Sequence, residues 1–249
     1  MIPKIIHYCW FGRNALPEHA QKCIASWRKF LPDYEIKEWN EDNFDVNIIP
    51  YTAEAYKAKK YAFVSDYARF WILYKYGGLY FDTDVEVIRP MDDIIGRGPF
   101  MAYEDENGNK DDIGTGHCVA PGLGLGVNPG LGLAKEIIDI YQHRHLFTWN
   151  GKLMDTVVKI TTDLINKKGI TKNLDGFDEV ETVILYPEDF FCPKNYYTGE
   201  INITENTRTI HHYSATWVKD NRTLLGKVKK RSQMFYYRLW GEIFALLKN

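Results

Sequence analysis

The sequence predicts an α/β fold: a Rossmann-like mixed sheet flanked by helices, with a helical appendage at the C-terminus. Three observations carry that expectation. The first forty residues read strand, helix, strand, the pattern of a βαβ unit with parallel strands. An aromatic-rich helical stretch ends on Gly77-Gly78 and runs directly into the apolar triplet Leu79-Tyr80-Phe81, so a helix feeds a buried strand. Charge then divides the chain: residues 226–249 carry six basic residues against the single acid Glu242, while the rest is net acidic. Such asymmetry marks the tail as a separate unit, giving a body over residues 1–225 and a basic amphipathic helix over 226–249.

Each element has a local reason. Ile2 to Trp10 is β-branched and aromatic with Pro3 near its start, a buried first strand. Leu16-Pro17-Glu18 opens a helix with Ile24, Trp27 and Leu31 at helical spacing, and Pro32-Asp33 breaks it. Tyr34 to Trp39 alternates as a second strand. Thr52 to Lys60 reads as a short helix. Tyr61 to Tyr76 reads as a longer one, with Phe63, Tyr67, Phe70, Trp71 and Tyr74 on one broad face. Gly77-Gly78 ends it, because glycine accepts the left-handed cap conformation. Val85 to Ile88 extends again before Arg89-Pro90 turns, and Glu104 to Gly116 is polar and loop-like. Cys118 to Val127 reads as one strand with tight turns at Gly122, Gly124 and Gly126. Leu131 to Gln142 and Lys152 to Lys168 follow as helices, Thr182 to Tyr186 and Arg208 to Tyr213 as strands, and Ser232 to Leu247 as the tail helix.

Composition bounds the function. The chain has 249 residues, 45% hydrophobic and 26% charged, with net charge −2. That is enough for a sizeable core and excludes wholesale disorder, a disulfide-stapled miniprotein and a strongly basic nucleic-acid binder. Cys9, Cys23, Cys118 and Cys192 form no C-x-x-C pair, so buried thiols in a reducing compartment are expected. No apolar run approaches the ~18 residues of a membrane span, and no signal-peptide pattern opens the chain. The expectation is a cytoplasmic protein. Aromatics, at 15%, are in excess, as core, ligand platform or membrane contact.

Four constellations carry chemistry. Asp82-Thr83-Asp84 follows a buried strand, and residues two apart in extended chain point the same way. Both carboxylates could then face one spot, where hard oxygens suit Mg²⁺ or Mn²⁺; the alternative is a solvated turn. Asp66 and Arg69 share a helical face otherwise packed with aromatics. Asp66 could accept sugar hydroxyls and Arg69 could bind hydroxyl or phosphate oxygens, unless the two merely form a surface ion pair. In His211-His212-Tyr213-Ser214-Ala215-Thr216-Trp217, adjacent histidines of a strand face opposite sides. At most one of them serves a given site, where it could complete a metal shell. Trp217 could stack on a sugar or base. His7 to Gly12 ends the first strand, where aromatics can sandwich a nucleobase. The glycines at 122, 124 and 126 do not fit G-x-G-x-x-G, so no dinucleotide fingerprint is present.

Taken in order, Ile2-Pro3-Lys4-Ile5-Ile6-His7-x-x-Trp10, Ala62-Phe63-x-Ser65-Asp66-Tyr67-x-Arg69 and Leu73-Tyr74-x-x-Gly77-Gly78-x-Tyr80-x-Asp82-x-Asp84 resemble family 32 glycosyltransferases. These are DXD sugar transferases that include capsular polysaccharide enzymes and Och1-like mannosyltransferases. The same stretch is similar to the catalytic domain of the large clostridial glucosylating toxins. The resemblance is dense over residues 2–95 and returns near 211–217; over 100–205, where acceptor choice would lie, it is loose. It implies a GT-A type nucleotide-sugar-binding fold, a nucleotide-sugar donor (a UDP-sugar favoured), Mn²⁺ or Mg²⁺, and retention of anomeric configuration. It implies catalytic roles for Asp66, Arg69, Asp82, Asp84 and Trp217. It places His7, Trp10, Asp66, Arg69, Asp82 and Trp217 at the donor, and makes Asp82, Asp84 and His212 the metal ligands. His212 is chosen because it stands five residues before Trp217. Many relatives carry Ser-Trp where this chain has Thr216-Trp217.

The expectation is therefore a metal-dependent hexosyltransferase acting on an oligosaccharide or lipid-linked saccharide, in capsular or cell-surface polysaccharide synthesis. It would have no nucleic-acid partner. The basic tail suggests an anionic membrane surface, which would put the enzyme peripherally on the inner face of the cytoplasmic membrane. Two rivals stand beside it. A sugar-phosphate nucleotidyltransferase would want a glycine-rich basic loop near the first strand, and only Gly12 and Arg13 are offered. A non-catalytic sugar-binding module would need neither a metal pair nor the helical Asp66 and Arg69.

Overall fold

Ile5–Cys9 (β1) leads through the helix Glu18–Phe30 (α1) to Glu35–Trp39 (β2), and β1 and β2 pair in parallel, Ile5 opposite Glu35 through Cys9 opposite Trp39. The βαβ unit expected from the first forty residues is thus present. This comes from a computed structural model that describes residues 1–105, 118–148, 151, 153, 155–196 and 198–214. The helices Pro50–Lys57 (α2) and Tyr61–Tyr76 (α3) follow, then Gly78–Tyr80 (β3), parallel to β1 on its other side. Next come Val85–Val87 (β4), Asp92–Ile95 (α4), Phe100–Asp105 (β5), Cys118–Val119 (β6) and Leu125–Val127 (β7). Gly132–Gln142 (α5) and Val157–Lys168 (α6) precede Thr171–Lys172 (β8), Asp178–Val180 (β9), Val183–Tyr186 (β10), Glu188–Phe191 (α7) and Thr209–His211 (β11).

The main sheet runs β2-β1-β3-β7-β5-β10-β9-β8 with β6 attached to β5. It is mixed: β7 is antiparallel to both β3 and β5, and β10 is parallel to β5. Helices cover both faces. Strand alternation sends Cys9, Tyr80, Met101 and Leu185 toward α2, α3, α5 and α6, and sends Ile6, Leu79, Phe81 and Ile184 toward α1 and α7. This is the mixed α/β, Rossmann-like architecture that the resemblance implies. A separate ribbon pairs β4 with β11, Val85 opposite His211. Trp27 of α1 holds this ribbon to the second core by donating from Nε1 to the Val85 carbonyl at 2.7 Å.

Helix α3 has the bounds that its periodicity and glycine stop predict. It is buried on nearly every side, from Phe63 to Phe70 without interruption. Gly78 is required where α3 hands over to β3: its φ is +103°, and a Cβ there would lie 2.6 Å from the Ile5 carbonyl oxygen. Other expectations needed revision. The stretch 118–127 is two short strands, because residues 121–124 turn between them. Glu104 lies within strand β5, which runs to Asp105, rather than opening a loop. The helix expected from Lys152 starts at Val157, where Thr156 caps it by accepting from the Lys159 amide. Strands β5, β8 and β9 and the short helices α4 and α7 were not anticipated. Residues 106–117, Ala215 to Trp217 and the basic tail lie outside the described residues. Among those described, no helix is long and apolar enough to cross a membrane, and no disulfide joins the cysteines, of which Cys9, Cys23 and Cys192 are buried.

Candidate active site

The parallel strands β1, β2 and β3 end together, and the acids follow β3 at that edge. Carboxyl ends of parallel strands are where open α/β sheets place ligands, because the chain diverges there and leaves a crevice. Phe81 still donates its amide to the His7 carbonyl, and Asp82 donates to the Gly122 carbonyl at 3.0 Å. The chain then turns, with the Val85 amide closing on the Asp82 carbonyl. Extended geometry across Asp82-Thr83-Asp84 would aim both carboxylates at one spot. The turn instead gives each its own set of partners.

Asp82 faces the α3 side. Its Oδ1 accepts from the Tyr80 hydroxyl at 3.1 Å and lies 3.5 Å from Arg69 Nη2. The same Nη2 bonds Asp66 Oδ1 at 2.8 Å, and Arg69 Nε donates to the Ser65 carbonyl. The Arg69 guanidinium also sits 4.9 Å from the Tyr80 ring centroid. Arg69 is 4% exposed and Asp66 8%, so this is not the surface ion pair that the spacing alone allowed. Two carboxylates share one guanidinium in a desolvated pocket. Burial pushes Asp66 up, to about 7; Arg69 opposes the rise and Asp82 adds to it. Burial acts against the charge on Arg69, but the Asp82, Tyr80 and Asp66 oxygens outweigh it and hold the guanidinium protonated. Gly122 closes over this group: a Cβ there would fall 2.0 Å from Asp82 Oδ2 and 3.2 Å from Arg69 Nη1. No other residue lets the 121–124 turn lie on the acid.

Asp84 faces the ribbon. Its Oδ1 is 3.1 Å from His211 Nε2, and its Oδ2 accepts from the Ser214 amide at 2.8 Å. Burial alone would raise its pKa, but the His211 and Ser214 bonds win and hold the carboxyl well below the usual carboxylate range. His211 is buried, which disfavours its charge, yet Asp84 and then Asp82 raise its pKa above the ordinary value. His211 Nδ1 is buried without a partner.

His212 is placed elsewhere. Its Nε2 pairs with Glu86 at 2.8 Å and only its backbone amide reaches the Asp84 carbonyl. The β4–β11 register sets His211 against Val85 at the start of β4, next to Asp84, and alternation turns the next side chain away. His7 also needs correction. It is fully buried, its Nδ1 accepts from Trp39 Nε1 at 3.0 Å and its Nε2 therefore donates to the Gly77 carbonyl at 2.9 Å. Burial lowers its pKa to about 4. It ties β1 to β2 and to the end of α3 and reaches no ligand space. Trp10 lies at the β1 edge as expected, half-buried, with Nε1 donating to the Asn14 carbonyl at 2.6 Å. Trp217 lies outside the described residues.

Asp84 and His211 are the nearest donors a divalent ion could use. Octahedral ligands at about 2.1 Å stand about 3 Å apart at neighbouring corners, and Asp84 Oδ1 and His211 Nε2 have that spacing. Carboxylate and imidazole both suit Mn²⁺. These two donor types suit such an ion, which would have to displace the proton that now joins them. Asp82 is engaged by Tyr80 and Arg69, and among the described residues no group of three or more His, Cys, Asp or Glu side chains gathers as a metal site.

The sequence reading missed His211 as the histidine on Asp84, the Ser214 amide, the Tyr80 hydroxyl and Gly122. Tyr80 carried a signal in its two-residue spacing to Asp82, and Gly122 none beyond its being a glycine. Cys9 sits beneath Arg69 and Tyr80, but burial pushes its thiol up to about 12, so it is no nucleophile.

Known proteins match part of this chain. Inositol phosphoceramide mannosyltransferase 3 of Schizosaccharomyces pombe is 36% identical over 98 residues, 38% of this chain and 27% of that protein. Uncharacterized glycosyltransferase L373 of Acanthamoeba polyphaga mimivirus is 35% identical over 114 residues, 43% of this chain and 45% of that protein. The chain thus spans less than half the length of these curated relatives. The solved structure of the PaToxG glycosyltransferase is 17% identical and covers 66% of this chain and 70% of that one, with a TM-score of 0.47. Residues 17–101, which hold Asp66, Arg69, Asp82 and Asp84, match the glycosyltransferase sugar-binding region containing DXD motif.

Proposed function

We propose that this chain is a metal-dependent, retaining glycosyltransferase that moves a hexosyl group from a nucleotide sugar, a UDP-sugar favoured, to a saccharide acceptor. The observation that carries the reading is the Asp66–Arg69–Asp82 group beside the Asp84–His211 pair at the carboxyl edge of the sheet, with Asp66, Arg69, Asp82 and Asp84 inside the matched segment 17–101. Membership of family 32, and kinship with the clostridial toxin domains, belong to this proposal and rest on the three ordered motif blocks.

In this reading Asp66 accepts hydroxyls of the donor sugar, and Arg69 spans from that acid toward Asp82 and the diphosphate. Trp10 lies by the base and Trp217 by the diphosphate. Asp84 and His211 hold Mn²⁺ or Mg²⁺, with Asp82 completing the motif. The bound ion supplies positive charge where the leaving diphosphate develops negative charge. Holding donor and acceptor in register provides much of the remaining rate. No side chain is assigned as nucleophile, so the favoured course is same-face displacement assisted by the leaving phosphate. Trapping of a glycosyl-enzyme adduct would overturn that course.

The names of several relatives specify a mannosyl donor and an inositol phosphoceramide acceptor. This supports a hexose donor and keeps GDP-mannose in contention with UDP-sugars. A lipid-linked saccharide in cell-surface polysaccharide synthesis, reached from the cytoplasmic membrane face by the basic tail, completes the proposal. Truncation after Leu225 should then abolish binding to anionic liposomes; equal binding by the shortened chain would remove the membrane part.

The test of the activity is a panel of UDP-hexoses, UDP-N-acetylhexosamines and GDP-mannose with Mn²⁺. Slow donor hydrolysis is expected, lost in Asp84→Ala. Normal hydrolysis by that variant would overturn the metal assignment. A nucleotidyltransferase would instead release pyrophosphate from a nucleoside triphosphate and sugar phosphate. The only loop residues available for that, Gly12 and Arg13, already bond Glu41 and Asp42.

A further inference from the structure

The ribbon that carries Asp84 and His211 ends in a strained residue. Among the described residues, four other than glycine have positive φ: Arg13, Lys59, Glu181 and Tyr213. The first three are exposed. Tyr213 alone is half-buried and aromatic. Its φ is +54°, where a Cβ crowds the backbone and glycine or asparagine would sit at lower cost. Strain of this kind persists only where the surroundings impose it, and it gathers at functional sites.

The backbone turn delivers a donor. The His212 amide bonds the Asp84 carbonyl at 2.9 Å, and the turn at Tyr213 brings the Ser214 amide back onto Asp84 Oδ2 at 2.8 Å. An extended Tyr213 would carry that amide onward, away from the acid.

The side chain braces the other partner of Asp84. The Tyr213 ring stands edge-on to the His211 ring, with centroids 4.3 Å apart and planes at 69°. It is itself held from outside the ribbon. Its hydroxyl lies 2.9 Å from Cys192 Sγ, just beyond α7. Its ring packs on the second core and meets Tyr196 edge-on at 5.0 Å. His211 needs such a wall. Its Nε2 faces Asp84 Oδ1, while its Nδ1 is buried without a partner. A histidine that ligates a metal is ordinarily oriented by a hydrogen bond at its other ring nitrogen. Among the described residues His211 has none there, so ring packing is left to orient it.

We propose that Tyr213 is a positioning residue for the ion site. Its strained backbone sets the Ser214 amide on Asp84, and its anchored ring fixes the plane of the His211 imidazole. The inference rests on the assignment of Asp84 and His211 to a divalent ion, and it gives a role to a residue outside the three ordered motif blocks.

The test is titration of the full chain with Mn²⁺, followed by water-proton relaxation enhancement, with the denaturant midpoint measured alongside. Tyr213→Asn tolerates positive φ but removes the ring, and Tyr213→Gly removes ring and strain together. Each should weaken Mn²⁺ binding about 10-fold, the low end for a residue that supports a metal ligand. Tyr213→Phe keeps the ring and should stay within about 3-fold of the unmodified chain, the worth of one weak hydrogen bond. In a His211→Ala background, Tyr213→Asn should cost nothing further, because its effect runs through His211. A role in folding alone would lower the midpoint of the Asn and Gly variants and leave the Mn²⁺ affinity of the folded chain unchanged. That result, equal losses for Phe and Asn, or a further loss in the His211→Ala background would overturn the positioning role and leave the ion assignment standing. Failure of the unmodified chain to bind Mn²⁺ would overturn both.

Discussion

Asp82 and Asp84 stand two residues apart in one tripeptide, yet they belong to different environments. Asp82 is drawn into a crowded, desolvated group on the α3 face, where one guanidinium serves two carboxylates. Asp84 sits on the β4–β11 ribbon, where an imidazole and a backbone amide satisfy it and keep it ionised. The first arrangement has one carboxylate more than it can balance, with Asp66 pushed up by burial and by its neighbour. The second is internally matched. The acidic tripeptide is thus split between two environments rather than gathered at one spot.

The largest expected effect breaks the first group. Arg69→Met leaves the buried Asp66 and the part-exposed Asp82 without their cation and should lower stability by about 3–5 kcal/mol, read as the denaturant midpoint; a change below about 1 kcal/mol would show the group to be solvated. The second prediction isolates the ribbon pair. Asp84→Ala should reduce donor hydrolysis by at least about 10²-fold and, by leaving buried His211 without its carboxylate, also lower stability, so the hydrolysis is compared at a temperature where the variant stays folded. His211→Ala should weaken Mn²⁺ binding about 10- to 100-fold while His212→Ala leaves it near wild type, as titrated by Mn²⁺ relaxation enhancement; the reverse ranking would restore His212. The third joins the two regions. Gly122→Ala drives a methyl into Asp82 and should cost about 1–3 kcal/mol. It should also impair donor binding more than Mn²⁺ binding, since only the Asp82 group is displaced.

A further effect sharpens the comparison by pH. His7, outside both groups, has its pKa lowered by burial to about 4. The unfolded chain therefore binds a proton that the native chain refuses, and stability falls as pH drops from about 6.5 to 4, by up to about 1.4 kcal/mol per unit. Asp84, with its pKa depressed, loses its contribution only at lower pH, once the unfolded carboxylate protonates. His211, with its pKa raised, contributes fully below about 6.5 and loses its contribution as pH rises through its folded value. The His7→Gln variant should lack the 4-to-6.5 slope present in wild type. Equal slopes would show that His7 is not buried neutral.

Much was legible locally. Apolar spacing from Tyr61 to Tyr76 and the Gly77-Gly78 stop marked α3. An i,i+3 spacing put Asp66 and Arg69 on one face, and β-branched runs marked β1 and β10. The sheet beyond β3 was not legible. Strand β5 and the three-residue β7 carry no strong period of their own, and the antiparallel insertion of β7 between two parallel sets depends on which edges remain open. Residues 118–127 misled because their glycines serve tertiary approach, Gly122 to Asp82 and Gly126 to Phe100, rather than strand turns alone. His7 misled because a histidine at a strand end reads as functional until Trp39 and Gly77 are seen to occupy both nitrogens.

By itself the sequence determined the α/β class, the first βαβ unit, the aromatic helix with its acid and base, and the emergence of the acidic tripeptide from a buried strand. All of these follow from short-range periodicity, glycine and proline chemistry, and side-chain spacing along one element. Only the tertiary structure decided that Asp82 turns to Arg69 and Asp84 to His211, and that His212 faces Glu86. Those outcomes depend on register and on packing between elements distant in the chain, where a shift of one residue in the β4–β11 pairing would exchange the two histidines.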